Sequence, residues 1–155
     1  MARLMAEDRD QQGGGRQLYC RVITPEEVIY DGEADLVIAR IADGDIGVLV
    51  DHSPLVSTVE AGEVRIREND EQRVYATSDG FFKVSENLVQ VLVEEAVSPE
   101  DIDVDEAENR VEEAEKEISE VSEEAEDRDR VLEEIRRRQR TGENFVRVAR
   151  KYRGS

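Results

Sequence analysis

The feature that most limits the possible folds is a change of hydrophobic periodicity at Ser98-Pro99. Before it, apolar residues alternate in short runs separated by turn dipeptides such as Asp43-Gly44, a pattern typical of β-strands. After it, apolar residues recur at steps of three and four, a pattern typical of helices that pack on other helices. The chain therefore predicts an all-β part followed by an all-helical part.

Short strands follow one another through the first part of the chain. After a first strand around Leu18 to Val22, we predict strands at residues 28–30, 34–41, 46–50, 56–59, 63–68, 73–77, 80–84 and 88–97. Asp31-Gly32 is predicted to be a turn between the second and third of them. Since no helical window separates the strands, we expect an antiparallel sandwich or barrel.

The second part predicts two helices, at residues 104–121 and 127–151, joined near residues 123–126. Thr141-Gly142 is predicted to interrupt the second helix before a last apolar stripe. Neither proline nor glycine occurs between Pro99 and Gly142, so local chemistry does not enforce the joint. The same residues suit one long rod, and we expect partners to decide between the two arrangements.

Charge excludes one class of function and points to another. The 155 residues carry a net charge of -18, which argues against binding a nucleic-acid backbone and disfavours anionic lipid surfaces. Adaptation to a salty cytoplasm explains this acidity equally well. Residues 135–155 are the exception, with eight basic residues against one acidic residue. This basic segment either folds back on the acidic first helix or binds an acidic surface elsewhere through Arg136, Arg137, Arg138, Arg140, Arg147, Arg150 and Lys151.

The polar beginning of the chain and its single cysteine allow further predictions about domain limits and location. Residues 1–16 are polar and rich in glycine, so we predict a flexible tail before a β domain at 17–98 and a helical domain at 99–155. The beginning lacks the apolar core of a secretory signal, and the chain contains no run of about 18 apolar residues. We expect a soluble protein in which Cys20, alone and on an alternating strand, is a buried small hydrophobe.

Catalytic and metal chemistry find little support in the residue types present. A lone His52 and a lone Cys20 do not form a recognisable catalytic pairing, and the chain lacks the phosphate-binding loop of nucleotide hydrolases. Asp43, Asp45, Asp51 and His52 fit a polar turn and an exposed loop better than a metal site, because the further ligands of such sites are missing. We predict no enzyme activity, no metal and no cofactor.

Three consecutive motifs between residues 44 and 66 resemble a known family. They are Gly44-Asp45-Ile46-Gly47-Val48-Leu49, then His52-Ser53-Pro54-Leu55, then Gly62-Glu63-Val64-Arg65-Ile66. Their order and spacing resemble those of the epsilon subunit of F-type ATP synthases, which is called delta in mitochondria. The family usually has Pro-Gly before the histidine, whereas this chain has Val50-Asp51. The resemblance covers residue 17 to the end.

The resemblance implies a β-sandwich of about ten strands followed by a two-helix hairpin. It implies a non-catalytic subunit of the central stalk that grips the gamma subunit and the membrane ring, on the cytoplasmic face of the bacterial plasma membrane. One end of the sandwich is expected to face the ring, with Asp45 and His52 as contact candidates. The helices are expected to open and inhibit ATP hydrolysis, with the basic segment attracted to an acidic stretch of the beta subunits.

Some bacterial members of this family bind ATP through an I-D-x-x-R-A motif, which here is Ile102-Asp103-Val104-Asp105-Glu106-Ala107. Glu106 replaces the arginine and would repel a triphosphate, so we predict no ATP binding. Asp103 and Glu106 instead have the spacing of a helix capping box.

The competing interpretation is a stand-alone adaptor with a ligand-binding β domain and helices that dimerise as a coiled coil. A sizing column separates this dimer from the stalk subunit, which the resemblance predicts to be monomeric when isolated.

Overall fold

The computed structural model describes residues 16–154. The predicted flexible tail lies almost entirely outside the described residues. The chain forms two compact units, of which the first ends at Ala96 and the second begins at Val97.

The first unit is a β-sandwich built from ten short strands. In chain order they are β1 (Leu18–Ile23), β2 (Val28–Ala34), β3 (Leu36–Ile41), β4 (Gly44–Val48), β5 (Leu55–Val59), β6 (Gly62–Glu68), β7 (Glu71–Thr77), β8 (Gly80–Ser85), β9 (Leu88–Val93) and β10 (Ala96–Val97). One sheet has the strand order β2-β1-β9-β8-β5, and the other has the order β10-β7-β6-β3-β4. The predicted fold class, a β-sandwich followed by two helices, is confirmed.

The core of the sandwich consists of the alternate residues that the two sheets turn towards each other. Phe82, Leu18, Ile66 and a set of valines are fully buried there, and Cys20 is buried among them as its alternating strand predicted. Burial raises the pKa of the Cys20 thiol to about 12, with a smaller contribution from the charge of Asp31. This cysteine therefore packs as an apolar side chain.

The expectation of a purely antiparallel sheet is wrong at one position, because β1 pairs with β9 in parallel. The predicted turn at Asp31-Gly32 is also wrong, since both residues lie within β2 and pair with β1. Gly32 instead leaves space for the Tyr30 side chain. The Tyr30 hydroxyl donates to the Glu33 carbonyl at 2.8 Å, and a Cβ on Gly32 would lie 3.1 Å from that hydroxyl. The glycine makes room for a side chain that folds back along its own strand.

The single strand predicted for residues 88–97 divides into β9 and β10. The break falls at Glu94 and Glu95, whose backbone N–H groups both donate to the Ser78 hydroxyl at 3.1 Å. This hydroxyl satisfies two backbone donors at the point where the chain leaves one sheet for the other.

The second unit contains a short 3-10 turn at Pro99–Asp101 and two helices, α1 (Val104–Glu120) and α2 (Arg128–Arg153). Asp103 caps α1, because its carboxylate accepts the backbone N–H of Glu106 at 3.1 Å. Gly154 ends α2 in the left-handed conformation that favours glycine. Neither helix within residues 16–154 has the length and apolarity that crossing a membrane requires.

The predicted interruption of the second helix at Thr141-Gly142 is wrong, since α2 continues through both residues and both are buried. A Cβ on Gly142 would lie 2.9 Å from Val111 Cγ2 and 3.0 Å from the Ala107 carbonyl oxygen. Gly142 therefore lets the two helices approach closely instead of breaking α2. The Thr141 hydroxyl donates to the Arg137 carbonyl at 3.0 Å, which satisfies it inside the helix.

Candidate functional site

The strand β4, which carries the first of the three sequence motifs, forms one edge of its sheet. Its neighbour β3 pairs Arg40 with Asp45 and Ile38 with Gly47. Gly44 precedes Asp45 with a φ of 116°, a conformation open mainly to glycine, and so allows the tight return from β3. The Asp45 carboxylate is half exposed and lies 3.3 Å from Arg65 Nη2. Asp45 is thus held at the sheet edge by a cation two strands away.

The loop that carries His52 is fixed by hydrogen bonds to a neighbouring turn. The Asp51 backbone N–H donates to Asn87 Oδ1 at 2.6 Å, and Asn87 Nδ2 donates back to the Asp51 carboxylate at 3.3 Å. Arg16 Nη1 lies 3.1 Å from the same carboxylate. The hydrogen bond from Asn87, and then that from Arg16, lowers the pKa of Asp51 below its ordinary value. The exposed loop therefore has a defined shape.

The departure from the family motif at Val50-Asp51 has a structural explanation. Asp51 has a φ of 65°, which lies in the left-handed region that glycine adopts most readily. Aspartate tolerates this region better than most residues, because its short carboxylate finds local hydrogen bonds. Asp51 adopts the conformation that a glycine would adopt there, and adds the link to Asn87. The His52 ring then donates from Nδ1 to the Ser53 carbonyl at 2.7 Å.

Asp45 and His52 are not brought together as a pair. Asp45 follows the β3–β4 turn, whereas His52 follows the other end of β4. What they share is the edge of the sheet, since β4 is an outer strand and the loop after it leads to β5, the outer strand of the opposite sheet. A partner that contacts both residues must therefore lie along this edge.

An apolar row, which sequence reasoning missed, crosses the outer face of the first sheet. The strand registers place Phe81 opposite Leu92, Leu92 opposite Ile23, and Ile23 opposite Val28. Phe81 is 59% exposed, Val28 54% and Leu92 41%. Val56 on β5 lies on the same face, two residues from Thr58, which pairs with Phe81, and is 71% exposed. We call Val28, Ile23, Leu92, Phe81 and Val56 the apolar row.

The sequence does contain a signal for this row. A strand with one wet face alternates apolar and polar residues, but β8 carries Phe81 next to Phe82 and β9 carries Val91, Leu92 and Val93 in succession. The structure buries Phe82, Val91 and Val93 in the core and leaves Phe81 and Leu92 outside. An exposed apolar patch of this kind usually marks a protein–protein contact.

Within the described residues, the basic segment occupies the C-terminal part of α2 and its cap at Gly154. Arg138 and Arg150 contact carboxylates of α1, namely Glu117 at 3.0 Å and Glu108 at 3.3 Å. Other members contact α2 itself: Arg140 lies 3.1 Å from Glu133, and Arg147 donates to the Asn144 side chain. Arg136, Arg137 and Lys151 are exposed on this helix. The basic candidates all lie on α2, and their contacts are divided between carboxylates of α1 and side chains of α2 itself.

The region of the ATP motif forms the beginning of α1. Ile102 is buried, and Asp103 acts as the helix cap. Glu106 occupies the position of the family's arginine, and its carboxylate lies 3.6 Å from Arg110 Nη2. Arg110 also lies over the Phe145 ring, 5.7 Å from its centroid. The prediction that the chain does not bind ATP remains a prediction.

Comparison with known families gives a match over the whole sandwich. The family profile described as "ATP synthase, Delta/Epsilon chain, beta-sandwich domain" matches residues 17–99.

Similar proteins extend the match to both units. The ATP synthase epsilon chain of Rubrobacter xylanophilus is 64% identical over 143 residues, which cover 92% of this chain and 98% of that protein. The ATP synthase epsilon chain of Brevibacillus brevis is 44% identical over 98 residues, which cover 63% of this chain and 74% of that protein. A chain of the mitochondrial ATP synthase of Euglena gracilis has the same fold, with a TM-score of 0.66, 23% identity and coverage of 86% of this chain and 83% of that one. The chain therefore belongs to the ATP synthase delta/epsilon family and is of the epsilon type, a non-catalytic subunit of that enzyme.

Proposed function

We propose that this epsilon-type subunit works in the central stalk, where its sandwich binds the gamma subunit and the membrane ring and transmits their rotation to the catalytic head. The apolar row is the observation that carries the proposal. Its four most exposed side chains lie on β2, β9, β8 and β5 of one sheet, and the partly exposed Ile23 on β1 lies between Val28 and Leu92, so together they offer a continuous surface. A subunit that turns with a shaft needs such a surface, because torque must pass through a contact that does not slide.

The gamma subunit is the partner that we assign to the apolar row. An apolar surface of this kind gains free energy when water leaves it, about 25 cal/mol for each Å². Phe81 and Leu92 lie at its centre, where buried aromatic and aliphatic anchors contribute most to binding.

The ring is the partner that we assign to the edge formed by β4 and the loop after it. Asp45 and His52 lie at the two ends of this edge, and Asp51 and Asn87 hold the loop in one conformation. A contact here brings the chain to the cytoplasmic face of the bacterial plasma membrane as a peripheral component. In this arrangement the chain needs no insertion into the membrane.

The helical hairpin is the part that we expect to restrain ATP hydrolysis. In its extended form it would reach the catalytic head, where the basic segment binds an acidic stretch of the beta subunits. Deletion of residues 135–155 should then raise ATP hydrolysis by the assembled complex. Unchanged hydrolysis after this deletion would contradict the inhibitory role while leaving the stalk role intact.

A pull-down with the isolated gamma subunit tests the stalk role. Phe81→Glu places a charge in the centre of the apolar row and should weaken gamma binding by at least tenfold, because a desolvated charge lacks a partner there. Gln72→Glu is the matched control, since it adds the same charge on β7 of the other sheet, where Gln72 accepts a hydrogen bond from Arg67. Equal gamma binding by the two variants, at unchanged thermal midpoints, would reject the apolar row as the contact.

A further inference from the structure

In the closed hairpin, two arginines of the basic segment pair with carboxylates of α1. Arg138 forms a two-pronged contact with Glu117, with Nη1 and Nη2 lying 3.0 Å and 3.1 Å from the two carboxylate oxygens. Arg150 Nη2 lies 3.3 Å from Glu108, and Arg153 Nη1 donates to the Ile102 carbonyl at 2.8 Å. These three contacts cross from α2 to α1 or to the residues just before it. Two of the three arginines, Arg138 and Arg150, are among the residues proposed to bind an acidic partner.

The fork between Arg138 and Glu117 has the geometry of the stronger ion pairs. Two parallel N–H···O bonds match a guanidinium to a carboxylate, and such a pair discriminates by shape as well as by charge. The pairing lowers the pKa of Glu117 and raises that of Arg138 from their ordinary values. The side chain of Arg138 is nevertheless 49% exposed and that of Glu117 is 44% exposed, so a competing carboxylate can reach the arginine.

The packing beneath these ion pairs uses small residues at its closest point. The buried residues of α1 are Ala107 and Ala114, and Gly142 of α2 lies against Ala107 and Val111. Alanine and glycine bring the helices close but remove little apolar area from water, and the larger buried side chains, Leu132, Ile135, Phe145 and Val148, are on α2. Ion pairs at the rim can therefore change the balance between closed and open forms.

Most of the remaining basic residues lie on a different side of α2. Arg136, Arg140, Arg147 and Lys151 follow at steps of four, seven and four, which places them along one stripe of a helix. This stripe is exposed while the hairpin is closed. An acidic surface can meet the stripe first, and gains Arg138 and Arg150 only when Glu117 and Glu108 release them.

We propose that α1 is an internal competitor of the acidic partner, with Glu117 and Glu108 occupying Arg138 and Arg150 until the hairpin opens. This inference rests on the inhibitory role proposed above and adds its regulation. Neutralising the two carboxylates should favour the open form and strengthen inhibition. Neutralising Glu112 and Glu115 of the same helix should do neither, since these carboxylates do not pair with Arg138 or Arg150.

The first experiment measures the hairpin directly in the full-length isolated chain. Spin labels on Asn109→Cys and Glu143→Cys should lie within about 20 Å in the closed form, because interaxial distances of packed helices are about 8–10 Å. A continuous helix would separate the same positions by about 50 Å, at about 1.5 Å for each residue. The natural Cys20 is buried and can stay in place.

The variant with Glu108→Gln and Glu117→Gln should raise the ratio of long to short distances by about 1.4- to 5-fold for each pair lost, the range of exposed ion pairs. The control variant with Glu112→Gln and Glu115→Gln removes the same charge from exposed positions of α1. An equal distance distribution in the two variants overturns the proposal, whatever the function of the hairpin.

The second experiment compares ATP hydrolysis by complexes that contain each variant. Stronger inhibition with Glu108→Gln and Glu117→Gln than with the control supports the competition. If the hairpin opens but inhibition does not increase, the competition is overturned. In that case, deletion of residues 135–155 shows which proposal has failed. If the deletion still relieves inhibition, only the competition has failed. If the deletion leaves hydrolysis unchanged, the inhibitory role has failed as well.

Discussion

Replacing Gly142 by alanine would test how the two helices are held together. A Cβ at this position meets the Ala107 carbonyl oxygen at 3.0 Å and Val111 Cγ2 at 2.9 Å, whereas ordinary contacts begin at 3.4 Å. The carbonyl belongs to the backbone of α1, and the valine methyl is on a stiff β-branched side chain. Neither group moves without moving α1, so Gly142→Ala should push the helices apart by several tenths of an ångström.

Two effects of opposite sign decide the size of the change. Alanine in a helix interior is more favourable than glycine by about 1 kcal/mol, and this gain applies whether α2 is packed or free. Overpacking at a close contact costs about 1–3 kcal/mol, and this cost applies only when the helices are packed. The equilibrium constant for closing the hairpin should therefore fall by about 5- to 150-fold, while α2 itself becomes a better helix.

The labels at positions 109 and 143 measure closing, and circular dichroism measures helix content. Arg136→Gly is the crossed control, because Arg136 is exposed on α2 and glycine there weakens the helix without touching α1. Gly142→Ala should lengthen the distance between the labels and preserve the helical signal. Arg136→Gly should reduce the helical signal and leave the fraction of short distances among folded molecules unchanged.

One outcome would refute this reasoning about the interface. If Gly142→Ala raised the thermal midpoint of the helical unit and kept the labels close, helix propensity would outweigh the contact. Gly142 would then be a tolerated weakness of α2 instead of the point where the helices meet.

Further measurements at Gly80, Gly47, Cys20 and Asp51 test the sandwich. Gly80→Ala should destabilise it by about 2 kcal/mol or more, because a Cβ there meets the Leu92 carbonyl and Val93 Cα, whereas Gly47→Ala should be well tolerated, and denaturant unfolding compares the two. Cys20 should not react with a thiol reagent at pH 8 until denaturant is added, since its pKa of about 12 keeps it protonated and buried. Asp51→Ala should lower the thermal midpoint more than Asp51→Gly, because only glycine keeps the left-handed conformation at no cost. The stability that ionised Asp51 contributes is present at neutral pH and lost as the pH falls below about 4 through its lowered pKa, so Asp51→Asn should flatten that part of the pH profile.

The periodicity of apolar residues was sufficient to predict an all-β part followed by helices, because burial on one face of a strand or helix must be written into the sequence. It left sandwich and barrel, and hairpin and single rod, open, and the family resemblance supplied the sandwich and the hairpin. Glycine was where prediction failed. Gly32 and Gly142 were interpreted as turn or break signals, but each makes room for a neighbour, the Tyr30 ring in one case and α1 in the other. A glycine that permits a close approach looks the same in the sequence as one that permits a turn. Only the folded structure shows which group lies against it.

The candidate sites divide in the same way. Asp45 and His52 could be named from a motif, but their separation along an edge strand follows from strand order, which the motif does not contain. The apolar row required the register of five strands, since Phe81 and Val28 belong to strands far apart in the sequence. Net charge suggested that the basic segment folds back on the acidic helix, but only the coordinates identify Glu117 and Glu108 as the carboxylates involved.

The two units use different forces for their proposed contacts, and salt separates them. The apolar row acts through removal of water, which ionic strength does not screen, whereas the pairs between α1 and α2 and any contact of the basic stripe act between exposed charges. At physiological ionic strength such charges interact over about 8 Å, and at 1 M over about 3 Å. Raising salt should therefore weaken both the closed hairpin and the proposed contact of the basic stripe with an acidic partner, whereas the proposed gamma contact should persist. If both proposals hold, the subunit stays attached under conditions that change the position of its helices, so attachment and regulation need not vary together.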